Sequence, residues 1–217
     1  SGSETRIVAA MLGKIQTETA KTSISTQVSS EVLLEVKNLG DGHLLKNVSF
    51  EMKKGEVLGV AALEGQGQDL LFEILAGERK SQAGEIIFKG QIVNFSHPAD
   101  SIALGITYVP GDRKSALLPQ RSIRENLALT RFRGLRKWGA INAKDEGLRV
   151  NEAVNDLQID TRAKSQVKRL SGGNQQKVTI GRWVTTGFDL LLCFDPTRGI
   201  DVGTKQQIYD LMRKFAS

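Results

Sequence analysis

The run Val57-Leu58-Gly59-Val60-Ala61-Ala62 is apolar throughout, follows the turn Lys53-Lys54-Gly55-Glu56, and passes at once into Leu63-Glu64-Gly65-Gln66-Gly67-Gln68. A short run without polar alternation suits a strand buried on both faces, as parallel sheets have, better than an exposed one. Asp69 to Ala76 comes next, with Leu70, Leu71, Ile74 and Leu75 at helical spacing and Gly77 placed to end the helix. Strand, glycine-rich turn and helix, in that order, is the layout of phosphate-binding loops.

The flanking chain extends this pattern. Val32, Leu34 and Val36 alternate with Leu33, Glu35 and Lys37, which predicts a strand with one buried face, and Asn47 to Met52 reads as a second strand. Gly84 to Phe95 reads as a hairpin turning at Lys89-Gly90-Gln91, Pro98 to Leu104 as a helix, and Gly105 to Val109 as another strand. Pro110 to Lys164 is rich in charge and helix formers, a mainly helical insertion. A helix from Asn174 to about Thr186, the most apolar strand at Asp189 to Phe194 and a helix from Gly203 to Phe215 follow. The expected fold is α/β with a helical subdomain.

The first thirty residues differ. Ser1-Gly2-Ser3 has the look of an expression scar, Thr5 to Lys14 could form one short helix, and Thr17 to Ser30 is rich in Ser and Thr without apolar periodicity, as a linker would be. With 217 residues there is enough chain for a medium domain that folds without staples, and the single cysteine, Cys193, allows no intrachain disulfide. No apolar run approaches the roughly 20 residues of a membrane span. The formal charge of +6 could serve nucleic acid, anionic lipid or a phosphate ligand, and does not choose among them.

The most specific chemistry lies in Leu170-Ser171-Gly172-Gly173-Asn174-Gln175-Gln176-Lys177, followed beyond the apolar strand by Asp195-Pro196-Thr197-Arg198-Gly199-Ile200-Asp201-Val202-Gly203. A serine and two glycines at a helix start place a hydroxyl and bare N–H groups where an anion can approach, with the helix dipole behind them. The bland alternative is a glycine turn with Ser171 as an ordinary N-cap.

These segments resemble the ATP-binding-cassette family, and within it the ATPase subunits of bacterial sugar and nucleoside importers, which carry two cassettes in one chain. Leu170 to Lys177 is similar to the family's signature motif, and Pro196 to Gly203 to its D-loop. Gly55 to Gly77 and Tyr108 to Leu129, with Asp112-Arg113-Lys114 and Ile123-Arg124-Glu125-Asn126, resemble the second cassette of such a subunit. Ile7 to Lys14 is similar to the helix that closes the first. The resemblance implies a P-loop NTPase-like cassette core with a helical subdomain, truncated at its C-terminus. On this reading residues 1–30 are tag, the end of a preceding cassette and linker, 31–109 the first part of the core, 110–165 the helical subdomain, and 166–217 the signature helix, acidic-end strand and D-loop. A parallel sheet cut there would expose a hydrogen-bonding edge.

Departures from the family pattern matter as much. An intact phosphate loop reads G-x-x-x-x-G-K-[ST]. Here Ala62 replaces the first glycine, Gly65 and Gly67 remain, Gln68 stands for the lysine, and Asp69 for the hydroxyl that holds Mg²⁺. Like charges about 4 Å apart cost about 4 kcal/mol at an effective dielectric near 20, so a carboxylate at Asp69 opposes phosphate; in its bland reading Asp69 caps its own helix. Before Pro196 the family places a Mg²⁺-binding aspartate and a catalytic glutamate, where this chain has Phe194 and Asp195, the latter a weak catalytic candidate. Gly111 sits where a γ-phosphate-sensing Gln or Glu is usual, and His43 is a poor substitute for the adenine-stacking aromatic.

In the family two cassettes meet head to tail, and each ATP lies between one phosphate loop and the other's signature. By the resemblance, this chain keeps the donated half, Ser171, Gly172, Gly173 and Asp201, and would complete the site of the first cassette of the same subunit. ATP and Mg²⁺ would bind that composite site, and weakly or not at all this chain's own loop. The implied subunit imports a carbohydrate, couples ATP hydrolysis to membrane permeases, serves a solute-binding protein indirectly, and lies in the cytoplasm on the inner face of the cell membrane.

Two competing readings stay open: an ABC-type ATPase acting on nucleic acid, for which the basic aromatic tract Arg131 to Trp138 would be the contact, and a binding module with no nucleotide role. The resemblance favours no nucleic-acid partner. His97, beside Pro98 with only Asp100 near, is too little for a metal site, and no metal is expected within the chain's own residues.

Overall fold

The computed structural model describes residues 28–130, 143–159 and 166–217. The expected scar and first helix, all but the last three residues of the linker expected at Thr17 to Ser30, and the tract Arg131 to Trp138 lie outside the described residues.

β1 (Val32–Gly40) is the centre of an antiparallel sheet in the order β2–β1–β3–β4, with β2 at Val48–Lys53, β3 at Ala83–Phe88 and β4 at Gln91–Val93. Leu34 pairs with Met52 on one side and Phe88 on the other, and Val36 with Phe50 and Ile86. Leu34, Val36, Ile86 and Phe88 are all buried, while Glu35 and Lys37 form an ion pair of 2.8 Å. The expected alternation fails at the start of β1: Val32 is exposed and Leu33 is buried. A register shift between Val32 and Leu34 accounts for this, because an extra residue on one strand turns side chains to the other face. The β3–β4 hairpin turns on Lys89 and Gly90, both with positive φ, and Gln91 belongs to β4 opposite Phe88. Two left-handed residues in a two-residue loop match the strand twist.

Helix α1 (Gln68–Leu75) buries Leu71, Ile74 and Leu75 against this sheet. Gly77 follows at φ 77, and a Cβ there would stand 2.9 Å from the His97 carbonyl, so glycine is required. α2 (Pro98–Leu104) starts at the proline because His97 caps it: Nδ1 accepts from Ala99 N, while the Asp100 carboxylate accepts from His97 N. His97 is thus the N-cap of α2, a role that its place before Pro98 did not by itself announce.

β5 (Ile106–Val109) and β6 (Leu190–Cys193) form a separate parallel pair, Ile106 opposite Leu190 and Val109 opposite Cys193. Around it lie α3 (Arg113–Ala116), α4 (Ile123–Ala128), α5 (Ala143–Asp156), α6 (Gly172–Val184) and α7 (Val202–Ala216). The last four of these helices share one core through Leu127, Val150, Val178 and Ile208. A buried polar link fixes α4 to α6: Arg182 Nε donates to the Asn126 carbonyl and Nη2 to Asn126 Oδ1, each at 3.1 Å.

The run Val57 to Ala62 overturns the opening expectation. It is not a strand; Val57, Leu58 and Val60 are exposed. A central parallel strand exists only where neighbours complete its ladder on both sides. Here a cavity of about 770 Å³ separates the run from β6, and among the described residues neither edge of the run is paired. Apolar composition gave it the character of a buried strand, but no partner backbone reaches it.

Candidate functional site

Two helix N-termini carry the residues singled out in the sequence. The first is that of α1. Gly67 is the N-cap at φ 88, and no side chain caps the helix. Asp69 lies in the first turn and does not cap it, contrary to the expectation; its carboxylate adds negative charge to the positive end of the helix dipole. A Cβ on Gly67 would lie 3.3 Å from Leu44 Cβ, so the Leu44 segment rests on the loop where an adenine-stacking aromatic was sought. Gly65 also has positive φ, with nothing against it.

The donor set of this loop does not suit phosphate. Leu63 to Asp69 contains no cationic side chain. Gln68 Oε1 is buried without a hydrogen-bond partner among the described residues, and an unpaired acceptor calls for a donor, which a phosphate oxygen is not. Asp69 supplies further acceptors. ATP is therefore a poor fit at α1 on the groups present.

The place expected for a Mg²⁺-binding carboxylate is filled by hydrocarbon. The Phe194 ring meets Phe72 of α1 edge-on at 5.6 Å, and Phe72 lies 6.4 Å from the Tyr108 ring. A Cβ on Gly111 would stand 3.0 Å from Phe194 Cδ1. The phenylalanine at 194 and the glycine at 111 are thus coupled by packing: a Cβ at 111 would crowd the Phe194 ring. Burial pushes the Tyr108 hydroxyl up to about 12, and burial likewise lifts the Cys193 thiol to about 12, so both stay neutral. Asp195 is exposed at φ 43, and among the described residues no group of three His, Cys, Asp or Glu could hold a metal.

The second N-terminus is that of α6. Ser171 is its N-cap, with Oγ accepting from Asn174 N at 3.3 Å and the Ser171 carbonyl accepting from Gln175 N at 2.9 Å. The N–H groups of Gly172 and Gly173 remain as the open donors of the first turn. No acidic residue occupies that turn. This is the donor-rich end that an anion requires.

The segment Pro196 to Gly203 is joined to this turn. Asp201 caps α7, its Oδ1 accepting from Thr204 N at 2.9 Å and its Oδ2 from the Thr204 hydroxyl at 2.7 Å. Those two bonds hold the Asp201 carboxyl below the usual carboxylate range. Gly173 is buried, and a Cβ on it would lie 2.6 Å from Thr204 Cγ2. The chain of contacts Gly173, Thr204, Asp201 therefore makes the two motifs one unit. Thr204 escaped the sequence reading; its signal was the cap spacing, three residues after Asp201. Arg113 escaped it as a site residue too, although it stands in the quoted Asp112-Arg113-Lys114 segment.

Ser171, Gly172, Gly173 and Asp201 thus gather at one end of α6 and α7. Gly65, Gly67, Gln68 and Asp69 stand at α1, and Asp195 just beyond β6.

Comparison with known proteins gives this arrangement its context. Residues 45–198 match the sequence profile of the family described as ABC transporter. A ribose import ATP-binding protein of Chromobacterium violaceum is 39% identical over 189 residues, covering 86% of this chain and 38% of that protein. An arabinose import ATP-binding protein of Vibrio parahaemolyticus is 39% identical over 186 residues, covering 84% of this chain and 37% of that protein. The chain thus spans well under half the length of these curated relatives. In three dimensions it is similar to the ATP-binding cassette MJ0796, whose dimer was solved bound to ADP and phosphate, with a TM-score of 0.73 at 24% identity over 85% of this chain and 83% of that one. Among the described residues no helix is long and apolar enough to cross a membrane.

Proposed function

Because this chain belongs to the ABC transporter family, we propose that it is one cassette of a carbohydrate-importer ATPase, the second of a tandem pair, which donates its α6 turn to an ATP held by its partner cassette. In that reading Ser171, Gly172 and Gly173 donate hydrogen bonds to the γ-phosphate oxygens, and Asp201 with Thr204 fixes their placement. The partner's own phosphate loop supplies the lysine and Mg²⁺-holding hydroxyl that Gln68 and Asp69 do not. The contrast between the two helix ends carries the reading: the first turn of α6 holds no acid of its own, whereas that of α1 holds Asp69 beside the orphaned Gln68 acceptor.

Residues 31–109 and 166–217 serve as the cassette core, and 110–165 as the helical part that docks on the permease, through which ATP-driven closure becomes solute passage. The subunit then works at the cytoplasmic face of the membrane, with a solute-binding protein as an indirect partner. A positive net charge agrees with a site near anionic lipid.

The test is made in the full-length subunit assembled with its permease. Ser171→Arg fills the donor turn with a long side chain and is expected to lower ATPase activity by about a hundredfold or more, the scale of losing preorganised donors. Gln68→Ala is expected to stay within about twofold of the parent. Equal losses from both would mean that the α1 loop is itself active.

A further inference from the structure

The guanidinium of Arg113 sits in the seam between the α6 turn and the D-loop. Its Nη1 donates to the Arg198 carbonyl at 2.9 Å, across 85 positions of chain. A Cβ on Gly172 would stand 3.0 Å from Arg113 Nη2, and one on Gly199 would stand 3.6 Å from both terminal nitrogens. The same Cβ on Gly172 would meet the Gly199 carbonyl at 3.2 Å. Each wall of the seam is therefore glycine backbone, closed down on a flat, delocalised cation. No carboxylate among the described residues lies within ion-pair distance of Arg113. Nη1 donates to backbone and Nη2 lies against the Gly172 turn, an arrangement that marks a brace.

A guanidinium suits this place better than an ammonium. It is planar, so it fits between two glycine turns, and its rigid fork presents donors toward two sides at once. The residue also stands just beyond β5, two positions after Gly111, the glycine packed on Phe194. A shift of the β5–α3 connection would thus be felt at the α6 turn and at the D-loop together.

We propose that Arg113 is a positioning residue for the composite ATP site, tying the Gly172 turn to the Arg198–Gly199 turn so that Ser171 and Asp201 meet the nucleotide as one unit. This rests on the donated-turn reading above. Arg113 acts through the two turns and does not itself touch ATP, so its removal slows turnover and leaves most nucleotide affinity, which the partner's phosphate loop supplies.

The experiment compares Arg113→Ala, Arg113→Lys and Ser171→Arg in the full-length subunit with its permease, measuring kcat, KM for ATP and thermal unfolding. Arg113→Ala is expected to lower kcat about tenfold with KM within about threefold. Its melting temperature should stay within about 3 °C of the parent, the span of a perturbation near 1 kcal/mol or less. Arg113→Lys is expected to recover less than about half of the loss, since a point charge cannot brace both turns. Parent-like kcat in Arg113→Ala, beside an inactive Ser171→Arg, would overturn the proposal and leave the donated turn standing. A raised KM at unchanged kcat would overturn it as well, by making Arg113 a nucleotide contact. A melting drop of about 10 °C that accompanies the activity loss would make it a fold residue instead. Full activity of Ser171→Arg would remove the reading on which the proposal rests.

Discussion

The N-termini of α1 and α6 were the two candidate anion sites of this chain, and their local sequences look alike: each has glycines and polar residues before an amphipathic helix. What separates them is the use of the glycines. In α6, Gly172 and Gly173 make room for Arg113, the Gly199 carbonyl and Thr204, so neighbouring groups pack closely against the turn. In α1, Gly67 supplies only a left-handed cap, with Leu44 resting on it and the unpaired Val57 to Ala62 run leading in. The two glycine-rich helix starts therefore differ in what packs on them and in whether an acid lies in the first turn itself.

The largest expected effect breaks the contrast at the braced end. Gly173→Ala drives a methyl into Thr204, costing about 1–3 kcal/mol of stability, and should lower ATPase activity of the full-length subunit about a hundredfold. Gly67→Ala, at a left-handed position, is expected to cost about 1 kcal/mol while leaving activity within about twofold. Calorimetric unfolding and a phosphate-release assay on both variants check the pair. Comparable activity losses would mean that both turns meet nucleotide.

Phe194→Asp places a carboxylate where the family pattern has one but removes the ring that packs on Phe72 and lies beside Gly111. A loss of about 2 kcal/mol in stability is expected, with no gain of ATP binding at α1, because Gln68 and Asp69 remain. Denaturant melts and equilibrium dialysis with Mg-ATP follow the two outcomes separately.

A smaller effect belongs to the cap of α7. Asp201→Ala is expected to cost about 1 kcal/mol. Because the folded carboxyl is held below its unfolded range, the cap stabilises fully above the unfolded value and fades as pH falls through the folded one. Urea midpoints of parent and variant should therefore converge at acid pH. Smallest of all, Asp69→Asn removes a carboxylate that the helix dipole favours at the start of α1 and is expected to cost about 0.5 kcal/mol or less, an effect that salt should screen.

Much of this architecture was legible because it is local. The Pro98 start of α2, the Gly77 end of α1 and the Ser171 cap are each fixed by residues within a few positions. The two losses at 194 and 111 were also visible, but only as separate departures from a family pattern. That Phe194 excludes a side chain at 111 is a contact across the sheet, and sequence spacing does not report it. Thr204 and Arg113 were missed for the same reason: their partners, Gly173 and Arg198, lie far along the chain. The Val57 to Ala62 run failed differently. Its composition describes a buried strand, yet a strand is made by its neighbours, and none reaches it here. At Leu33 a bulge undid a clean alternation, which a period of two cannot foresee.

The most direct test counts nucleotides. Equilibrium titration of a slowly hydrolysed Mg-ATP analogue into the full-length subunit is predicted to saturate at one nucleotide per chain, with affinity unchanged within about twofold by Gln68→Ala. Saturation at two per chain, with one lost in Gln68→Ala, would contradict the account by giving the α1 loop a nucleotide of its own.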